Sequence, residues 1–188
     1  MTTFKPIALP TQRLIIRFLN EGDLPALYAM YSHAEVMRYW SYAPWTEKDQ
    51  ARQMLQDTLS SYQDGSGLQV GIERKSDRVL VGMCSLFQFH MPSRRAELGY
   101  ALGRPYWGFG YMHEALLSFV DYAFNCLHLN RLEADIDPRN LASAKTLERL
   151  GFKLEGILRE RWIVQEEVTD TGLYGLLRRE WLELNKQP

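Results

Sequence analysis

A mixed α/β sheet with helices on both faces is the fold class this sequence predicts, and three observations carry it. The candidate elements run strand, two helices, three strands, helix, strand, helix, two strands, with hairpin strands first and crossover helices later. Residues 94–102 alternate apolar Ala96, Leu98, Tyr100 and Leu102 with Glu97, Gly99 and Ala101, the period of a strand. Met112, Ala115, Leu116, Phe119, Val120, Ala123, Cys126 and Leu127 then repeat at three and four residues, one apolar helix face.

The elements follow in order. Residues 13–19 (RLIIRFL) read as the first strand. Asn20-Glu21-Gly22-Asp23 breaks it, and residues 24–32 form a helix with Asp23 as N-cap and Pro25 in the first turn. Residues 36–44 are aromatic and irregular. A second helix spans Thr46 to about Tyr62, with Thr46 as cap and Asp49 at the capping-box position; its sparse apolar residues predict a mostly exposed helix. Gly65-Ser66-Gly67 is a turn, and residues 68–74 and 79–89 form a hairpin around Lys75-Ser76-Asp77. After the 94–102 strand and the long helix, Leu132, Ala134 and Ile136 alternate as a strand. Residues 140–150 form a helix capped by Asn140 and stopped by Gly151 in the left-handed conformation. Residues 152–164 and 169–178 close the chain as strands.

The 188 residues are expected to form one domain, 1–188. With 46% hydrophobic and 24% charged residues, the composition is that of a soluble globular protein. Lys plus Arg number 22 against 23 Asp plus Glu, so no overall field draws the chain to nucleic acid or an anionic membrane. The opening MTTFKPIALP has no basic segment leading into an apolar one, and no stretch reaches 18 apolar residues, so a cytoplasmic location is expected. Cys84 and Cys126 both sit in apolar runs and are expected to be buried and reduced. His33, His90, His113 and His128 are scattered without metal-ligand spacing, so no metal is expected. His113 adjoins the loop described next; it reads as an aid to that loop or as a surface histidine.

Trp107-Gly108-Phe109-Gly110-Tyr111-Met112 lies between the 94–102 strand and the long helix. Two glycines one residue apart free the backbone to turn successive N–H groups into one concavity, and the helix start adds unpaired N–H groups and the positive dipole end. Three readings fit: a plain helix-entry turn, a dinucleotide loop, and a coenzyme A diphosphate loop. The dinucleotide loop needs a third glycine where His113 stands, and needs to follow the first strand.

Four segments in order, TQRLIIRFLNEGD, AELGYAL, RPYWGFGYMHEAL and DPRNLASAKTLERLGFKLEG, resemble the GCN5-related N-acetyltransferase (GNAT) superfamily, and most closely its RimJ/RimL branch of ribosomal-protein N-terminal acetyltransferases. The resemblance implies a mostly antiparallel central sheet of about seven strands and transfer of acetyl from acetyl-CoA to a primary amine. The broad family loop has Arg or Gln, two residues, Gly, one residue, then Gly or Ala; Trp107 and Met112 depart from it, as is usual in the RimJ/RimL branch.

The resemblance also implies site roles. Trp107, Gly108, Phe109, Gly110, Tyr111 and Met112 would hold the diphosphate. Backbone groups of Tyr100, Ala101 and Leu102 would pair with pantetheine, and an N–H near Leu98 or Gly99 would polarise the acetyl carbonyl. Asn140 would bond the pantetheine arm and Ser143 approach the sulfur; read locally, Asn140 is a cap and Ser143 a small packing residue. The tyrosine that many members carry four residues before the Gly-Phe pair is Leu147 here, which moves the role at the sulfur to Ser143. Lys145 would meet phosphate, or is an exposed helix lysine. Trp40, Tyr42 and Trp45 would line the acceptor groove, or are core.

Glu97 is the candidate base, or an outward strand residue. A carboxylate at about 4.3 facing an α-amine at about 8 is roughly 5 kcal/mol short of taking its proton directly. Either Glu97 is desolvated and raised, or it orders a relaying water. An α-amine is easier to deprotonate than a lysine amine at about 10.4, which favours a protein N-terminus as acceptor. Small amines (polyamines, amino acids, antibiotics) and a non-catalytic acyl-CoA sensor are the alternatives. The chain is expected to act as a monomer or homodimer.

Overall fold

The computed structural model describes residues 3–185; residues 1–2 and 186–188 of the expected domain lie outside them. One eight-stranded sheet organises the chain, in the order β1-β2-β3-β4-β5-β6-β8-β7. The strands are β1 (Ala8–Pro10), β2 (Leu14–Phe18), β3 (Leu68–Arg74), β4 (Leu80–His90), β5 (Arg95–Leu102), β6 (Arg131–Ile136), β7 (Lys153–Val164) and β8 (Glu167–Leu177). Every pairing is antiparallel except β5 with β6. The helix joining those two, α4 (Tyr111–Asn125), makes the crossover a parallel pair requires.

Helices cover both faces, as the pattern predicts. On one, Met112, Ala115, Leu116, Phe119, Val120 and Ala123 of α4 pack on Leu14, Ile16, Val70, Ile72, Cys84 and Leu98. On the other, α1 (Leu24–Tyr31), α2 (Ala34–Met37) and α3 (Asp49–Asp64) bring Leu27, Met30, Tyr31, Val36, Met37, Ala51 and Leu55 against Met83 and Ala101. Each such side chain contributes about 1.5–3 kcal/mol when fully buried. Two further helices are α5 (Leu141–Arg149) and α6 (Arg178–Leu184).

Several expectations are corrected. The eighth strand, β1, escaped notice because it has three residues and ends in Pro10, which only an edge position tolerates. α2 and α6 are too short to show periodicity. Asp23 does not cap α1 with its side chain. Its buried carboxylate instead takes the Arg17 guanidinium in two bonds of 2.8 Å and accepts from the Asn20 N–H, closing the preceding 3-10 turn. α3 begins at Asp49 without a side-chain cap; Gln50 Oε1 reaches back to accept the Thr46 and Glu47 N–H groups. Cys84 is buried as expected, but Cys126 is exposed. It is the C-cap of α4, where the chain turns off the apolar face.

One irregularity of the sheet positions the site. β5 pairs with β4 from His90↔Arg95 to Gly82↔Leu102, but with β6 only from Arg95↔Arg131 to Glu97↔Glu133. Beyond Glu97 the two parallel strands part, and the β6-facing edge of residues 98–102 has no strand partner. No helix among the described residues is long and apolar enough to cross a membrane.

Candidate active site

Beyond the point where β5 and β6 part, each strand leads into a helix start, α4 after β5 and α5 after β6. The first is the start of α4. Gly108 has φ +83° and Gly110, its N-cap, φ +76°, the left-handed region where a Cβ is costly. A Cβ at Gly108 would stand in open space, so the glycine there is needed for its backbone conformation and not for lack of room. Among the described residues, no acceptor takes the backbone N–H groups of Gly108 through His113; the first satisfied one is Glu114, which donates to the Gly110 carbonyl at 3.1 Å. Bare amides aimed outward beside a helix's positive end suit a diphosphate, so the residues present fit the anionic part of coenzyme A.

Neighbouring contacts fix this loop. The Trp107 indole folds back and donates to the Leu102 carbonyl at 2.7 Å, tying the loop to the end of β5 and occupying one backbone group expected to meet pantetheine. Phe109 is 59% exposed, and Met112 turns its side chain into the core, leaving only its N–H to the loop. Arg13, which no local motif singles out, donates to the Phe109 carbonyl at 2.9 Å across 96 residues of chain.

The second helix start is that of α5, and it is closed. Asn140 caps it, its side-chain oxygen accepting the Ser143 N–H at 3.1 Å. The cap fixes Ser143, whose Oγ lies 2.6 Å from the Tyr100 hydroxyl. Burial pushes the Tyr100 phenol well above its usual range, and the bond to Ser143 pulls part of the way back. The phenol therefore stays protonated and can donate to Ser143. Local sequence points only to the Tyr100 backbone, and the fold adds its hydroxyl, on the strand face opposite Glu97, to the site. Leu147 is fully buried in the core. Lys145 is exposed on α5.

Glu97 stands where β5 and β6 part. Its carboxyl is pushed up to about 7, first by desolvation and next by the nearby Asp135 charge, with Arg161 drawing it partly back. Among the described residues it has no hydrogen-bond partner, whereas Asp135 pairs with Arg161 at 2.9 Å and Glu133 with Arg95 at 2.6 Å.

A cavity of about 590 Å³ gathers Glu97, Tyr100, Asn140, Ser143, Trp40 and Tyr42. Trp45 is not on its wall; it stacks on Tyr31 with ring centroids 4.6 Å apart, and Trp40 meets the same Tyr31 edge-on. The glycine loop, Ala101, Leu102 and Lys145 lie outside this cavity, Ala101 being buried against α1–α3. Among the described residues no group of three His, Cys, Asp or Glu is placed to hold a metal.

Comparison with known proteins decides what this arrangement is. Residues 13–153 match the model of the acetyltransferase (GNAT) domain family. The chain belongs to the GNAT family. This GNAT chain is 35% identical over 173 residues to the N-acetyltransferase p20 of Bacillus licheniformis, covering 92% of the chain and 97% of that protein. It is 26% identical over 184 residues to the ribosomal protein uS5-alanine N-acetyltransferase of Escherichia coli, covering 93% of each. Its fold superimposes with a TM-score of 0.81 on a spermidine N-acetyltransferase from Vibrio cholerae solved with CoA and spermine, at 22% identity, over 90% of this chain and 98% of that one. The GNAT chain is an acetyl-CoA-dependent N-acetyltransferase of RimJ/RimL-like kinship.

Proposed function

We propose that this enzyme acetylates α-amines at protein N-termini in the cytoplasm, as one catalytic domain. The observation that carries the choice of acceptor is the Glu97 carboxyl at about 7. A base at that position takes a proton from an α-amine near 8 with about a tenfold penalty, and from a lysine-type amine near 10.4 with a penalty above about a thousandfold. The desolvated Glu97 brings direct deprotonation of an α-amine within reach, while the preference of about 250-fold over a lysine-type amine comes from the amines themselves. The Escherichia coli relative, a ribosomal protein uS5-alanine N-acetyltransferase, supports the same class.

Bound acetyl-CoA supplies a thioester whose carbonyl an amine attacks. The chain's residues do the rest. The bare N–H groups of 108–113 bind the diphosphate, with Trp107 holding the loop against β5. The free edge of β5 beyond Glu97 offers backbone groups of Leu98 to Ala101 to the pantetheine arm, and Asn140 lines the same cavity. Ser143 meets the sulfur and stabilises the departing thiolate by a hydrogen bond, oriented by the Asn140 cap and by Tyr100. Tyr100 is a positioning residue here. Glu97 removes the amine proton, and Trp40 and Tyr42 flank the acceptor.

One observation favours a second reading, a polycationic small amine: Glu97, Asp135, Asp137, Glu167 and Asp170 all line the cavity. Three of those carboxylates are already paired, Asp135 with Arg161, Asp137 with Arg139, and Glu167 with Arg38 and Arg139. Release of free thiol from acetyl-CoA over a panel of amines separates the readings. Peptides with a free N-terminus are expected to be used with higher kcat/KM than N-blocked peptides bearing lysine and than spermidine. Equal or faster use of spermidine would overturn the N-terminal assignment.

A further inference from the structure

We propose that Arg13 is a cofactor-binding residue that anchors the glycine loop with two nitrogens and presents the third to the diphosphate of acetyl-CoA. The proposal rests on the reading of residues 107–112 as the diphosphate loop.

Arg13 opens β2, which the fold sets beside the start of α4. Its Nε donates to Glu114 Oε2 at 2.6 Å and its Nη1 to the Phe109 carbonyl at 2.9 Å. Its backbone N–H donates to Glu114 Oε1 at 2.7 Å, and the Thr11 hydroxyl donates to the same oxygen at 2.6 Å. The guanidinium lies 4.7 Å from the Tyr111 ring centroid. Three contacts thus hold the side chain, with Glu114 itself fixed by two more donors, and the planar fork leaves Nη2 pointing elsewhere.

Nη2 has no acceptor among the described residues. It lies 3.6 Å from where a Cβ on Gly110 would be, so it reaches the rim of the concavity formed by the bare amides. Residues 107–112 carry no positive charge of their own. Arg104 is committed to Glu35 at 2.8 Å and lies over Trp107, and Arg74 is committed to Asp77 at 2.5 Å. Among the described residues Arg104 keeps both Nη nitrogens free and Arg74 keeps Nη1, but Arg13 is the cation whose side chain is hydrogen-bonded to the loop's own backbone. Its anchored guanidinium loses little freedom on meeting an anion, and a charged donor makes a stronger bond to phosphate than an amide does. Glu114 would by itself repel the diphosphate; three donors converge on its carboxylate and Arg13 balances its charge.

The roles of anchor and ligand separate by mutation. Calorimetric titration with coenzyme A is run on the wild type, Arg13→Gln and Glu114→Gln. Arg13→Gln is expected to weaken binding about tenfold or more, the loss of one charge-assisted bond. Glu114→Gln, which loosens the anchor but keeps the cation and removes a negative charge, is expected to stay within about threefold of the wild type. Turnover of S-acetylpantetheine, a donor without diphosphate, is expected to be unchanged in Arg13→Gln. Equal losses in both variants, or parallel loss with S-acetylpantetheine, would reduce Arg13 to a brace and overturn the proposal, as would unchanged coenzyme A affinity in Arg13→Gln. Failure of the wild type itself to bind coenzyme A would instead bring down the reading of the loop.

Discussion

The two helices that follow the parting strands, α4 after β5 and α5 after β6, start differently. α4 begins at a left-handed glycine with its amides bare, whereas α5 begins at Asn140, whose side chain takes the Ser143 N–H. An open start keeps its donors for an anion that arrives from outside; a capped start spends one donor to fix a neighbouring hydroxyl. In the proposed function the contrast divides the work: the α4 start would bind the carrier, and the α5 start, which holds Ser143 beside Tyr100, would serve the acyl end. It also explains why the loop uses glycine, since a side chain at 108 or 110 would sit in strained backbone.

The comparison is broken most severely at Gly110. Gly110→Val puts a β-branched residue at φ +76° and spoils the aim of the amides. Losing two charge-assisted bonds predicts coenzyme A affinity about a thousandfold lower by calorimetry. Unchanged affinity would mean that the open start binds nothing.

Glu97 belongs to neither start, so Glu97→Gln should leave that affinity alone while lowering kcat about a hundredfold. In the wild type, kcat/KM should climb as pH rises through about 7, where the Glu97 carboxyl gives up its proton, and the variant should lose that inflection. Linkage adds a stability signature of fixed sign. A carboxyl raised from 4.5 to about 7 stabilises the fold fully below about 4.5 and loses that contribution as pH climbs through 7, so the pH slope of Tm in this window should be flatter in Glu97→Gln.

Ser143→Ala should cut kcat about tenfold, one hydrogen bond to a developing charge, with little change in acetyl-CoA affinity. Tyr100→Phe should cost less than Ser143→Ala on kcat, and nothing further once Ser143 is already alanine. Additive losses in the double variant would show that Tyr100 acts on its own. The smallest effect belongs to Asn140→Ala: loss of the cap should lower stability by about 1 kcal/mol, or about 2–4 °C in Tm for a chain of this size. A loss of coenzyme A binding as large as that of Gly110→Val would erase the distinction between the two starts.

Much of this was legible in the residues. The hairpin of β3 and β4, the alternation of β5, the Asn140 cap and the Gly151 stop are local signals that the structure bears out, as it does the 3- and 4-residue repeat of α4 from Met112 to Ala123. The glycine loop was legible because backbone freedom and a following helix are written in one short segment. What was not legible is tertiary. The hold of Arg13 on Phe109 spans 96 residues, the Tyr100–Ser143 hydroxyl pair spans 43, and nothing in either local segment announces its partner. Asp23 failed as a cap because Arg17, six residues earlier, offered its carboxylate a stronger partner. Proximity in sequence leaves groove and core open for Trp40, Tyr42 and Trp45, and only the fold shows the Trp45 ring stacked on Tyr31.

Amide hydrogen exchange with and without coenzyme A tests the open start most directly. Residues 108–113 should exchange fast in the free enzyme and become protected on binding, while the Ser143 amide, already bonded to Asn140, changes little. Protection that appears elsewhere and leaves 108–113 unchanged would contradict the assignment of the diphosphate to these amides.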